Sequence, residues 1–328
     1  MATDASSYHD TVQDVYREAA LSPANSLCCV PSAPRYLPGL VIPDIMHEMN
    51  YGCGSTVHLQ DMKADQTALY VGVGGGLEAL ELAYFTRRPG GVIAIDPVAE
   101  MREAAAKNLE LAAESNDWFD PSFVDIRDGD ALDLPVEGNT ADFAAQNCLF
   151  NIFTTGGDLE RALTEMQRVL KLGGRLVMSD PVTPRPLPEH LASDERLRAA
   201  CLSGCQTLDD YLARIVEAGF GSIEVRSRKP YRALDAVGHG LDTDLLLETV
   251  EVAAFKVPTP EDGPCIFTGA TATYTGPDPD FNDGKGHVLP KNMPMPVCDK
   301  TAAALKSLGR EDLSITGSTW HYQGGGCC

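Results

Sequence analysis

Residues 67–96 read TALYVGVGGGLEALELAYFTRRPGGVIAID, and this stretch decides the fold. Leu69, Val71 and Val73 are apolar and include two β-branched side chains, which suits a buried parallel strand. Gly72, Gly74, Gly75 and Gly76 follow, where the backbone can turn sharply and a ligand can approach the main chain. Leu77, Leu80, Ala83 and Tyr84 then recur at helical spacing. Gly90 and Gly91 break the chain before a second apolar run, Val92 to Ile95, that ends in Asp96. A carboxylate at the carboxyl end of a second strand is placed to accept from the hydroxyls of a ribose.

The glycine spacing selects the nucleotide. A dinucleotide fingerprint needs G-x-G-x-x-G, whereas Gly72 to Gly76 give G-x-G-x-G, which resembles motif I of the class I S-adenosylmethionine (AdoMet) methyltransferases. The phrase RVLKLGGRLVMSD at 168–180 is similar to the post-core motif of the same enzymes. The resemblance implies an α/β fold, a Rossmann-like doubly wound sheet. Working outward, 97–111 reads as a helix, 121–126 as a third strand, 141–151 as a fourth strand with its end, 159–170 as a helix and 175–179 as a fifth strand. Asp130 follows the third strand, beside the adenine amine in such folds, although an Asx turn reads equally well there. Asn147, Cys148 and Asn151 fall at the carboxyl end of the fourth strand, where doubly wound sheets place their substrate.

The flanks complete three expected units. Residues 1–60 hold an amphipathic helix over 4–20 and cysteine loops covering the site; 61–232 form the AdoMet-binding domain; 233–328, rich in Gly and Pro with short β-like runs, form a small α+β domain with a GGGCC tail. A helix from Ser193 is expected to carry Cys201 and Cys205 on one face. The formal net charge of −21 disfavours nucleic acid, no apolar run is long enough to span a bilayer, and the N-terminus lacks a secretory signal pattern. A cytoplasmic location is the expectation.

Ten cysteines are many for such a chain. In a reducing compartment they point to soft-ion binding or thiol redox chemistry, although any one alone is as readily a small buried hydrophobe. Cys28-Cys29 in a Pro- and Ser-rich loop and Cys327-Cys328 behind three glycines read as accessible dithiols, and Cys53 between Gly52 and Gly54 reads as an unshielded thiol. His47, His58 and His190 are scattered, with none in a motif loop to serve as a base. Sulfur is what the expected site holds. Thiolates select thiophilic ions, and a trivalent metalloid held by three of them keeps a lone pair that needs alignment with a methyl group rather than a base.

At these residues the chain resembles the arsenite methyltransferase family. Tyr51-Gly52-Cys53-Gly54-Ser55, Asn147-Cys148-Leu149-Phe150-Asn151, Cys201-Leu202-Ser203-Gly204, the pair Cys28-Cys29 and Met295-Pro296-Val297-Cys298 with Thr301-Ala302 carry the likeness, which covers nearly the whole chain. The GGGCC ending is similar to the branch that makes arsenosugars. By this resemblance Cys53, Cys148 and Cys201 hold arsenic(III), with Cys205, Cys327 and Cys328 as lesser candidates, and Cys28 or Cys29 pairs with Cys53 in a thiol–disulfide step. Gly72, Gly74, Gly76, Asp96, Asp130 and Asn147 would hold AdoMet. A thiol reductant, glutathione or thioredoxin, is implied as co-substrate, and thioredoxin as a partner. The chain departs from the family at Tyr70, where an Asp usually precedes the first glycine, and at Leu77-Glu78, where Arg-Asp is usual. Cys205 is extra. Methylation of a small organic acceptor and non-catalytic metalloid binding are the competing readings.

Overall fold

The computed structural model describes residues 5–23, 34–154 and 157–319. Cys28, Cys29, Cys327 and Cys328 lie outside the described residues. The elements are α1 (Ala5–Leu21), α2 (Asp44–Glu48), β1 (Ala68–Val71), α3 (Leu77–Thr86), β2 (Val92–Asp96), α4 (Ala99–Ser115), β3 (Val124–Asp128), β4 (Ala141–Asn147), α5 (Asp158–Val169) and β5 (Leu170–Val182). They continue with α6 (Glu189–Ala192), α7 (Glu195–Ala199), α8 (Leu208–Glu217), β6 (Ser222–Leu234), α9 (Ala236–His239), β7 (Leu245–Phe255) and β8 (Cys265–Phe267). The remainder are β9 (Thr271–Tyr274), β10 (Asp280–Asn282), β11 (Val288–Pro290), β12 (Met295–Pro296), α10 (Asp299–Ser307) and β13 (Leu313–Ile315).

The main sheet has eight strands in the order β3-β2-β1-β4-β5-β7-β6-β8. β1 to β5 run parallel, and β7 lies antiparallel between β5 and β6. β1 and β2 are buried at every position, which is why they read as continuous apolar runs rather than as alternating ones. Successive side chains serve opposite faces. Leu69 and Val71 join the core under α5 and α8, while Ala68 and Tyr70 join the core under α3 and α4. α5 turns Leu159, Ala162, Leu163, Met166 and Val169 inward at helical spacing. Burying such a face stabilises the layer by roughly 1.5–3 kcal/mol per large side chain.

The expected boundary at 232 is not where the sheet ends. β6 runs on to Leu234, and β7 and β8, both beyond 232, are strands of the main sheet. The run VEVAAF at 250–255 is buried on both faces because it is a central strand of the large sheet. A separate small core follows, where Ala272, Tyr274, Leu289, Val297, Leu305 and Leu313 pack between β9, β11, β13 and α10. Among the described residues no helix is long and apolar enough to cross a membrane.

Candidate active site

The turn after β1 is left-handed at Gly72 (φ 84°), Gly74 (φ 51°) and Gly76 (φ 86°), conformations that a Cβ would strain. Gly75 is needed for a different reason: a Cβ there would stand 2.6 Å from the Met49 Cβ. The turn forms the floor of a cleft of about 1040 Å³, open mouth included. At the end of β2, Asp96 accepts from the Val73 N–H (3.0 Å) and the Val98 N–H (2.9 Å), one to each oxygen. Burial pushes its carboxyl up to about 6. Asp96 lines the cleft.

Asp130 lines the cleft too, and also makes the Asx turn, accepting from the Leu132 N–H at 2.8 Å. Val98, Met101, Ala131, Ile152 and Phe153 supply apolar walls. A flat base, a diol and a thioether-like tail are the chemistry these residues fit: apolar walls, one acceptor carboxylate and an unobstructed glycine backbone. α1 covers the mouth through His9, Val12, Gln13 and Tyr16. It is fastened by the Thr11 hydroxyl to Glu195 (2.8 Å), by the Tyr51 hydroxyl to the Ala19 carbonyl (3.2 Å), and by Tyr8 to Asp158.

Beside Tyr70 the cleft holds another carboxylate, Glu78, from the first turn of α3. Its Oε1 accepts from the Thr56 N–H (3.0 Å) and hydroxyl (2.9 Å), and its Oε2 from the Tyr70 hydroxyl and the Asn147 amide (3.1 Å). All four lone-pair sites are filled, so Glu78 is a hub joining the glycine turn to the Cys53 loop. Asn147 completes that junction. Its Oδ1 accepts from the Cys53 N–H (3.0 Å) and its Nδ2 donates to the Gly54 carbonyl (2.9 Å).

Cys53, Cys148 and Cys201 come from three distant segments and pack with Ile152 in one cluster beside the cleft. Cys53 is 3 % exposed, so the flanking glycines do not mark an unshielded thiol. They permit close packing instead: a Cβ at Gly52 would overlap the Asn147 amide, and one at Gly54 the Ser179 hydroxyl. The Cys53 sulfur lies 3.4 Å from the Thr249 hydroxyl, which donates to it, and 3.5 Å from that of Ser179. Cys148 (φ 62°) and Cys201 (φ 58°) both hold left-handed backbone, rare for residues other than glycine and a mark of functional sites.

The expectation that Cys201 and Cys205 share a helical face is overturned. α7 ends at Ala199, and both cysteines sit in the turn that follows. Gly204 lets that turn press on Asn151, whose backbone carbonyl a Cβ would overlap, and the Asn151 amide donates to the Pro181 carbonyl (2.7 Å). Cys205 packs in another core, with Leu191, Leu234 and Leu247, and its S–H donates to the Cys201 carbonyl (3.4 Å). The Cys201 S–H donates to the Cys148 carbonyl at 2.5 Å. Among the described residues, no three His, Cys, Asp or Glu side chains converge on a single ion-sized point. The three thiols are thus gathered in one cluster, with the Cys201 S–H turned to the Cys148 carbonyl.

One pair escaped the sequence reading. His58, three residues past Ser55, and Glu251 on β7 are each 2 % exposed and 3.4 Å apart. Desolvation pushes His58 down to about 4, so it stays neutral beside the carboxylate. Glu251 accepts from the Ser55 N–H (3.1 Å) and Lys229 (3.3 Å), fastening the Cys53 loop from below. A charged residue inside the apolar run VEVAAF was the available signal.

A methyltransferase domain model matches residues 69–178. An arsenite methyltransferase of Halobacterium salinarum is 30% identical over 54% of this chain and 43% of its own length. One from Aquipseudomonas alcaligenes is 27% identical over 89% of this chain and 86% of its own. The chain thus spans less than half of the first relative and most of the second. Among solved structures, an arsenic(III) S-adenosylmethionine methyltransferase from Chlamydomonas reinhardtii superposes with a TM-score of 0.60 at 24% identity, covering 86% of this chain and 95% of that one. The cleft built on motif I, the mostly parallel sheet and the matched domain agree on a class I methyltransferase fold, and the chain is similar to arsenite methyltransferases over 54% and 89% of its length.

Proposed function

We propose that this chain methylates trivalent arsenic with S-adenosylmethionine, the arsenic being held by Cys53, Cys148 and Cys201. The observation that carries the reading is the gathering of these three thiols, from a loop, a strand end and a turn, beside a cleft fitted to a nucleoside. Bound in that cleft, S-adenosylmethionine supplies an electrophilic methyl group on a sulfonium. Asp96 accepts from the ribose hydroxyls, Asp130 lies at the base, and Gly72, Gly74 and Gly76 let the backbone approach the ligand. Asn147 acts through the Cys53 loop. α1 excludes water from the cleft.

The thiolates orient the arsenic lone pair toward the methyl carbon, which leaves S-adenosylhomocysteine as coproduct. That lone pair becomes the As–C bond, so arsenic rises by two in oxidation state. Two thiolates return the electrons by closing to a disulfide, which an external thiol, glutathione or thioredoxin, reopens. Cys53 is placed for this cycle by the Thr249 hydroxyl, which donates to its sulfur and orients it. Cys28 or Cys29 would be its disulfide partner. We assign the chain to the cytoplasm and to arsenic detoxification, with the arsenosugar branch suggested by the GGGCC ending.

The test is incubation with arsenite, S-adenosylmethionine and glutathione, followed by chromatographic separation of arsenic species with elemental detection. Methylated arsenic is expected, with at least a hundredfold loss in Cys148→Ser and in Cys201→Ser while S-adenosylmethionine binding persists. Unimpaired methylation in both variants sinks the reading.

A further inference from the structure

The main cluster does not absorb every cysteine that is placed with care. Cys265 opens β8 and is half-buried; Cys298 caps the N-terminus of α10 and is 3 % exposed. The two thiols are neighbours where α10 packs on β8. Their neighbours hold them together from both sides. Lys300 donates to the Asp262 carboxylate (2.5 Å) and the Gly263 carbonyl (2.6 Å), and the Thr268 hydroxyl donates to Asp299 (2.7 Å). The segment 262–268 is therefore stitched to 299–300 on either side of Cys265. Its N–H also donates to the Gly221 carbonyl at 3.0 Å, which fixes the backbone. The Cys298 sulfur also lies 3.1 Å from the Thr301 hydroxyl. Neither cysteine is in a disulfide.

The pair lies far from the cleft. Cys265 stands opposite Ser222 on the edge strand, whereas Cys53 rests on Ser179 and Thr249 of β5 and β7. Two adjacent thiols, one open to solvent, match a ligand that takes two sulfurs and keeps a third substituent outside.

We propose that Cys265 and Cys298 form a second thiol site, which captures a trivalent arsenical through two As–S bonds. The capture is a condensation. Each As–OH leaves as water with the proton of one thiol, arsenic stays trivalent, and no oxidant or reductant is consumed. The third substituent on arsenic faces the half-exposed side of Cys265. The site stands whether or not the cleft methylates, because it rests on different residues.

The probe is phenylarsine oxide, which bonds to two thiols at once. The full chain, kept reduced by a phosphine, is saturated with the probe, then unfolded and alkylated with N-ethylmaleimide, and each cysteine is read by peptide mass spectrometry. Cys265 and Cys298 should be protected together, at least tenfold. Cys265→Ser should expose Cys298 and lower the bound arsenical by one equivalent, with unfolding temperature unchanged. The same protection should survive in Cys148→Ser and Cys201→Ser, which separates this site from the cleft. Equal alkylation of Cys265 with and without the probe overturns the proposal, as does an unchanged equivalence in Cys265→Ser. Should the buried Cys298→Ser fail to fold, Cys265→Ser at the half-exposed position decides alone.

Discussion

Replacing Asn147 by Ala removes, besides a long contact from the Cys53 thiol, three hydrogen bonds that hold the Cys53 loop: those to the Cys53 N–H, the Gly54 carbonyl and Glu78. At about 1 kcal/mol net for each, loop closure weakens by about 3 kcal/mol. That is roughly a hundredfold rise in the open population, since 1.4 kcal/mol is a factor of ten. Cys53 is buried in the closed loop, so its alkylation by a small maleimide reads the open population directly. The expected result is a rise of roughly a hundredfold in Cys53 labelling, with Cys265 labelling unchanged as an internal control. Binding of S-adenosylmethionine should shift little, because Asn147 spends its donors and its acceptor on the loop. Arsenite methylation should fall by one to two orders of magnitude through the turnover rate. If Cys53 labelling rises less than about fivefold while the KM for S-adenosylmethionine climbs, Asn147 is a cofactor contact and the clamp argument is refuted.

Three further outcomes follow from the same geometry. Gly204→Ala drives a Cβ into the Asn151 carbonyl and should destabilise the fold by about 1–3 kcal/mol, visible as a lowered unfolding temperature and an exposed Cys201. Asp96 titrates at about 6, so S-adenosylmethionine affinity should fall roughly tenfold between pH 7 and pH 5 as the acceptor protonates, and Asp96→Asn should flatten the profile at a weakened level. Glu81 is pushed up to about 8 by burial, with Glu78 adding to the rise. Because the folded value exceeds the unfolded one, its contribution to stability is full below about 4.5 and is lost as pH rises through about 8. Glu81→Gln should therefore raise the unfolding temperature at pH 9 and change it little at pH 5, as calorimetry can read.

The local parts of the site were legible in the sequence. The span from Leu69 to Asp96 folds as its glycines and apolar runs dictate, because a βαβ unit is specified by neighbours in sequence. The strand end carrying Asn147 and Cys148 was legible for the same reason. What was hidden depends on residues far apart. The role of Gly52 and Gly54 appears only once Asn147 and Ser179, 95 and 125 residues on, press against them. Cys201 lost its expected helix because Gly204 and Asn151 force a left-handed turn, and helical spacing alone cannot register a contact 50 residues away. β7 was assigned to the wrong unit because an apolar run does not say which sheet it joins; its partners β5 and β6 do.

The left-handed backbone at positions 148 and 201 has a consequence for how this chain would drift. A cysteine held there sits about 1–2 kcal/mol above what glycine would incur at the same place. Stability and sulfur therefore pull these two positions in opposite directions. In a library of variants kept only for folding and solubility, with no demand on chemistry, 148 and 201 should be among the first positions to turn to Gly or Asn. In a library kept for arsenic resistance they should stay Cys, and the excess stability needed to keep them would accumulate elsewhere, in α5 and the sheet.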